Sequence, residues 1–268
     1  HGVNYKNLMY WVSNQLSKSY LWTTSALPII MPPMKQDFQT RLTGKRQLTP
    51  TMLELTLEIT NGLSLDFKAG QYALLHVPQS PKPITRSYSF ASDDRCKNGF
   101  TLLVKLVPGG IASEYIASRQ IGDSLLFTAP FGKLTFHEPP TSQVLLISTG
   151  AGLSQHMSFM LSNAERFPAV QFRALIGVWN EDEMFYQTEL QNLRQRFSHF
   201  TYEFVLDKPL RPWTGKMGYV TQYFADFDFE RIDTTFYLCG NPAMIKSSRD
   251  LLKAKNFPKD RIHAEAFV

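Results

Sequence analysis

The hydrophobic period of this chain changes once, at Pro139-Pro140, and that change constrains the fold more than any single motif. Ahead of it, Leu53, Leu55, Leu57 and Ile59 alternate with polar residues and end at the turn pair Asn61-Gly62. Period-two alternation closed by such a turn predicts a half-buried strand. Apolar runs at 71–77, 87–91, 100–107 and 124–128 follow, separated by Gly, Pro or Asp, and Ala129-Pro130-Phe131-Gly132 closes the series. Short strands at this spacing predict an antiparallel barrel or sandwich. Beyond the proline pair, strand-like runs at 144–148, 172–178, 202–206 and 235–238 alternate with helical patterns at 153–167, 184–197 and 242–255. This alternation predicts a parallel sheet covered by helices on both faces.

A chain of 268 residues is long enough for two such domains, each with its own core. The expected division is 37–138 for the first and 139–268 for the second. Residues 1–36 form an extension, in which Tyr5, Leu8, Met9, Val12 and Leu16 fall at helical spacing before a proline-broken apolar linker at 26–34. A content of 19% charged and 43% apolar residues describes a globular chain rather than a disordered one. No apolar run is long enough to cross a bilayer and no secretory leader opens the sequence. Cys96 and Cys239 form no CxxC pair, and the six histidines show no ligand spacing, so no metal or iron–sulfur site is expected. A reducing cytoplasm is the expected setting, and a monomer the expected state. Residues 1–137 carry 14 Lys/Arg against 8 Asp/Glu, and the remainder 14 against 15. A basic N-terminal half suits an anionic ligand or an acidic partner. Its cations are scattered and accompany no nucleic-acid motif, so nucleic acid is not the expected partner.

Five short constellations carry chemistry. Arg86-Ser87-Tyr88-Ser89, after a Pro-rich loop, sets a cation, an aromatic face and two hydroxyls on one extended segment. Gly109-Gly110-Ile111-Ala112-Ser113 places small residues ahead of a helix expected at 113–118, where backbone N–H groups can meet an anion. A stacking ring, a hydroxyl and a diphosphate site together suit a flavin nucleotide. Ser148-Thr149-Gly150-Ala151-Gly152 stands where the first parallel strand turns into its helix, again at a site for a diphosphate. The third glycine of the standard dinucleotide fingerprint is replaced by Gln155, and no Gly-Lys-Ser/Thr follows to make a nucleotide-triphosphate loop. Cys239-Gly240-Asn241-Pro242 ends a later strand at the same carboxyl edge, and the chain finishes on Glu265, Phe267 and Val268.

Taken in order, Arg-x-Tyr-Ser, Gly-x-x-Ser, Thr-Gly-x-Gly, Cys-Gly-x-Pro and a terminal Glu-x-aromatic resemble the ferredoxin–NADP(+) reductase superfamily over about residues 38–268. The flavour most similar is that of reductase components serving oxygenases, desaturases or ferredoxins. The resemblance implies an antiparallel Greek-key β-barrel that binds FAD, followed by a Rossmann-like α/β domain that binds NADH or NADPH. It implies that Arg86 holds the flavin diphosphate with Ser87 beside it. Tyr88 stacks on the isoalloxazine, and Ser89 hydrogen-bonds at its hydride-accepting edge. Gly110, Ile111, Ala112 and Ser113 match the second diphosphate stretch, with Lys105 a looser contact. Thr149, Gly150 and Gly152 match the nicotinamide-dinucleotide turn, and Cys239, Gly240 and Pro242 the segment beside the nicotinamide. Glu265 matches a carboxylate linked to Ser89, and Phe267 a cover for the flavin. Ser89, Cys239 and Glu265 are thus the expected catalytic residues. The superfamily turn usually runs on into a proline, where this chain has Ser154-Gln155. At the ends of the second and third parallel strands, Glu181, Asp182 and Asp207 favour a free ribose hydroxyl and hence NADH, although Lys208 and Arg211 stand close in sequence. The implied acceptor is an acidic ferredoxin, a flavodoxin or an oxygenase or desaturase component. A haem protein or quinone as acceptor, or a non-catalytic nucleotide-sensing subunit, are the alternatives.

Overall fold

The computed structural model describes residues 35–79, 82, 84–229 and 232–267. The helical extension expected before residue 35, Pro81, Pro83 and Val268 lie outside the described residues.

Six antiparallel strands form the first sheet: β1 (Gln36–Thr49), β2 (Met52–Ile59), β3 (Tyr72–Val77), β4 (Ile84–Ser89), β5 (Gly99–Lys105) and β6 (Ser124–Phe131). Their order is β4-β3-β6-β1-β2-β5, and Phe90 pairs with Leu102 to join the two edge strands into a barrel. The alternation seen in the sequence is the cause: Leu53, Leu55, Leu57 and Ile59 all point inward, with Phe38, Leu75, Phe100 and Phe127, while Glu54 and Glu58 face out. Helix α1 (Ile111–Ser118) covers one end through Ala112 and Ile116, starting two residues earlier than the sequence pattern indicated.

The second sheet is parallel, with strands β7 (Gln143–Thr149), β8 (Gln171–Val178), β9 (Phe200–Leu206), β10 (Lys216–Met217), β11 (Thr234–Gly240) and β12 (Ile262–Ala266) in the order β10-β9-β8-β7-β11-β12. The order reverses beside β7, so the crevice between the ends of β7 and β11 is the topological switch point where open α/β sheets bind ligands. Helices α2 (Leu153–Asn163), α3 (Gln187–Arg196) and α4 (Pro242–Ala254) flank the sheet. All three are shorter than expected, the last by a single residue. The first ends at Asn163, four residues ahead of Phe167-Pro168. The second starts only after Tyr186, which sits in the left-handed region at φ 58°. Between β9 and β11 the sequence offered no periodic pattern. There Val220, Phe224, Phe227 and Phe229 fill one side of the sheet with Phe236 and Leu238.

The two sheets share a core. Met52, Ala69, Ala91 and Leu103 from the barrel pack in one buried cluster with Phe136, Leu146, Met157, Phe159 and Tyr237. Helix α2 is therefore buried nearly all round, and its barrel-facing ridge is polar at regular intervals. Gln155 donates to Gly70 O at 2.8 Å and Ser158 Oγ to Ser92 O at 2.8 Å, while Ser162 Oγ accepts from Asp94 N–H at 3.0 Å. Gly70 is a site of close approach: a Cβ there would lie 2.4 Å from Leu134 O and 2.9 Å from the Phe159 ring. At the other end of the seam Tyr186 OH donates to Glu54 at 2.5 Å, and Arg46 joins Glu54 to Glu189.

Candidate functional site

On β4 the side chains alternate, so Arg86 and Tyr88 share one face while Ser87 and Ser89 share the other. Arg86 is exposed; its one hydrogen bond among the described residues goes to the neighbouring Thr85 carbonyl at 2.9 Å, and it forms no ion pair there. Tyr88 lies half-buried against the barrel core. Burial raises its phenol and Arg86 partly offsets that, so the ring is neutral near pH 7. Ser89 is buried and stands across from Tyr72, two residues beyond Gly70.

Gly110 caps α1 without any side-chain hydrogen bond, leaving the first N–H groups of that helix open. Not all the neighbouring residues point outward. Ala112 faces the barrel core, and Ser113 Oγ accepts from Val107 N–H at 2.9 Å, which folds the loop before the helix. Ile111 is exposed, and Lys105 lies exposed at the end of β5. Strand β5 itself lies against the Gly150–Gly152 turn of the parallel sheet.

That turn is a short 3₁₀ segment leading into α2, and its two glycines serve different needs. Gly150 takes φ +51° with open space where a side chain would be; a Cβ on Gly152 would lie 2.2 Å from Cys239 O. The turn therefore presses on the end of β11. Thr149 Oγ1 accepts from Asn241 N–H at 2.8 Å, so its hydroxyl ties the two strand ends together. Asn241 Oδ1 caps Ala243 N–H at 2.8 Å and Pro242 occupies the first turn of α4. Gly240, Asn241 and Pro242 are thus explained by a strand end and a helix start.

Ser148, Cys239 and Glu265 lie side by side across β7, β11 and β12, in register and on the same face of the sheet. Cys239 is fully buried, and burial, reinforced by the Glu265 charge, raises its thiol well above the ordinary range. It is a protonated thiol rather than a nucleophilic thiolate. Burial also raises the Glu265 carboxyl, opposed by its hydrogen bond from Gln155. Phe267, half-buried, is held by its N–H on Gly240 O at 2.9 Å.

Sequence reasoning missed the residue that joins the halves. Gln155 Nε2 donates both to Gly70 O and to Glu265 Oε2, at 2.8 and 2.5 Å. Gln155 thus bridges the Gly70 turn of the barrel to Glu265, which stands in register beside Cys239; among the described residues no hydrogen bond joins Ser89 to Glu265. The signal available was Gln155 itself, a polar residue where the glycine-turn pattern asks for something else.

At the ends of β8 and β9 the candidate ribose-binding loops are laced together. Glu181 accepts from Leu210 and Arg211 N–H at 2.8 and 3.1 Å, Arg211 pairs with Asp182 at 2.7 Å, and Lys208 lies over the Trp179 ring at 4.6 Å.

Residues 39–136 match a family model described as the oxidoreductase FAD-binding domain, and residues 146–250 one described as the oxidoreductase NAD-binding domain. The chain is 29% identical over 231 residues to the anthranilate 1,2-dioxygenase electron transfer component of Acinetobacter baylyi, covering 85% of this chain and 66% of that protein. It is 27% identical over 239 residues to ferredoxin–NADP reductase B of Sorangium cellulosum, covering 87% of this chain and 98% of that one. It therefore spans about two thirds of the first relative and nearly all of the second. Among solved structures, a cytochrome P450 reductase of Amycolatopsis superposes with a TM-score of 0.80 at 24% identity, over 87% of this chain and 70% of that one. A ferredoxin NADP+ reductase of Neisseria gonorrhoeae with bound FAD and NADP gives 0.75 at 20%, over 86% and 98%. Among the described residues no helix is long and apolar enough to cross a membrane.

Proposed function

Because the chain belongs to the ferredoxin–NADP(+) reductase superfamily, we propose that it accepts hydride from a reduced nicotinamide dinucleotide onto FAD and delivers single electrons to a separate acidic carrier. Residues 37–138 hold the flavin in this reading and 139–268 the dinucleotide. The observation that supports it most is the pair of hydrogen bonds from Gln155, which link the Gly70 turn of the barrel to Glu265, the residue in register with Cys239.

The residues present fit both groups. Arg86 lacks an acidic partner among the described residues, and the uncapped start of α1 beside Gly110 offers N–H donors, so both suit a diphosphate. The open space over Gly150 suits a second diphosphate at the start of α2. Bound FAD supplies an acceptor that takes two electrons together and releases them singly. Tyr88 offers a neutral ring for stacking, and Ser89 a preorganised hydroxyl donor at the reacting edge. Cys239 gives the nicotinamide a small, uncharged, apolar wall. Glu265 holds or moves a proton beside it, and Phe267 covers the exposed flavin face.

NADH is the favoured donor. Arg211 is already neutralised by Asp182 and Lys208 is stacked on Trp179, so neither cation is free for a ribose phosphate. The acceptor class follows from the basic N-terminal half and from the relatives: ferredoxin, flavodoxin or an oxygenase component. The test is an anaerobic spectrum. Purified protein should be yellow and bleach on adding NADH, then pass electrons to cytochrome c only when an iron–sulfur carrier is added. Protein that stays yellow with both nucleotides would overturn the proposal.

A further inference from the structure

Gln155 is fully buried at the start of α2, yet it belongs as much to the barrel and to the chain end as to its own helix. Two acceptors, Gly70 O and Glu265 Oε2, face the same end of its amide. That end must be the NH₂ group, because the carbonyl end would meet two oxygens. Both N–H groups are thereby used. The other end, Oε1, has no hydrogen-bond partner among the described residues. A buried acceptor left empty is costly, so packing alone does not account for an amide here. What the amide achieves is directional: it ties a backbone carbonyl of one domain to a carboxylate of the other.

We propose that Gln155 is a positioning residue, which orients the Glu265 carboxylate toward the reaction cleft only while the barrel turn at Gly70 is docked on α2. This rests on reading Glu265 as the carboxylate beside the reacting ring. Three features make the contact stiff. Gly70 has no room for a side chain against Leu134 and Phe159, so the turn sits as close to α2 as a backbone can. Ser158 and Ser162, three and seven residues along the same ridge, fix the helix to Ser92 and Asp94. Glu265 is held in register with Cys239 by the β11–β12 pairing, so the carboxylate has little freedom except rotation of its own side chain.

The consequence extends to its charge. An N–H donor favours the ionised carboxylate, against the burial that disfavours it. Few other groups intervene. Cys239 of β11 is the titratable neighbour that feels the carboxylate's charge, and its thiol stays protonated. His263 stands two residues back on β12, and burial lowers its basicity. On α2, His156 is neutral and Gln155 carries no charge, while the barrel contributes the Gly70 carbonyl through Gln155.

The test replaces Gln155 by Met, which keeps length and removes both donors, and by Asn, which keeps the amide and shortens the reach. Carboxyl ¹³C resonances of glutamate-labelled protein are titrated without nucleotide, with Glu265 assigned from its loss in Glu265→Gln. In Gln155→Met the Glu265 midpoint should rise by ~1 pH unit or more, the size expected from losing a hydrogen bond to a charged group. Gln155→Asn should move it in the same direction. At saturating NADH the anaerobic bleaching rate should fall ~10-fold with little change in KM, as expected for misorientation rather than lost binding. A side chain that merely stabilises the fold would lower the melting temperature and leave the Glu265 midpoint in place. An unmoved midpoint in either folded variant overturns the proposal. Wild-type protein that NADH cannot bleach overturns the functional reading instead, while the titration still decides the link between Gln155 and Glu265.

Discussion

Replacing Gly152 by alanine should destabilise the protein, although backbone conformation alone predicts the opposite. Gly152 has φ −58° and ψ −20°, the right-handed helical region that any residue adopts. In that region Gly→Ala ordinarily stabilises by ~0.4–1 kcal/mol, because the unfolded chain loses freedom. The obstacle is packing. The new Cβ would sit 2.2 Å from Cys239 O, 2.5 Å from its carbonyl carbon and 2.9 Å from Gly240 N. All three are backbone atoms of β11, held between β7 and β12 by parallel pairing, so none can swing aside like a side chain. Relief requires the turn and the strand end to part by about an ångström, which overpacking studies place at ~1–3 kcal/mol, occasionally more. We expect a net loss of about 2 kcal/mol in urea unfolding, read as a lower midpoint with an unchanged slope. Gly150→Ala is the internal control. Its Cβ meets nothing within 4 Å, but φ +51° imposes a left-handed cost of ~1–2 kcal/mol. Both variants should bind NADH more weakly, Gly152→Ala by displacing the turn and Gly150→Ala by filling the space above it. A Gly152→Ala protein as stable as wild type would refute the claim that this turn rests directly on the β11 backbone.

Further expectations concern the reaction and the pH dependence. Ser89→Ala should remain yellow but bleach ~10²-fold more slowly with NADH, the effect of removing one preorganised donor; an unaltered stopped-flow rate would take Ser89 out of the mechanism. Steady-state kcat/KM should favour NADH, and a tenfold preference for NADPH would show that Lys208 or Arg211 leaves its present partner. His156 is fully buried, and burial lowers it from 6.5 to about 3 against a weaker opposing backbone contact with Tyr237. The native ring stays neutral while the unfolded chain takes a proton below 6.5, so its share of stability is present above that pH and lost as pH falls toward 3. His156→Phe should therefore gain ~2 kcal/mol relative to wild type between pH 7 and pH 5, and parallel stability curves would refute this. Electron delivery to an acidic ferredoxin should weaken as salt rises, with the apparent KM increasing; a salt-independent KM would remove steering by the basic half.

The two sheets were legible in the sequence because the signals that make them are local. Leu53 to Ile59 alternate whether or not a barrel forms around them, and strand-helix alternation after Pro139-Pro140 implies a parallel sheet wherever the helices dock. The Asn241-Pro242 helix start was likewise written in neighbouring residues, as a cap followed by a proline. The motifs at Arg86–Ser89, Thr149–Gly152 and Cys239 stood out for the same reason, since each is a few residues at the end of one element. What held them together was not local. Gln155 meets partners 85 and 110 residues away, and no periodicity links Gly70 to Glu265. The close fit of Gly152 on Cys239 depends on two strands brought together by the switch in strand order. Ala112 and Ser113 turned partly inward because α1 lies on the barrel, which their sequence neighbours do not encode. Short-range chemistry specified each group of candidate residues; only docking the barrel on α2, through contacts between distant segments, brought Gly70 and Glu265 onto one side chain.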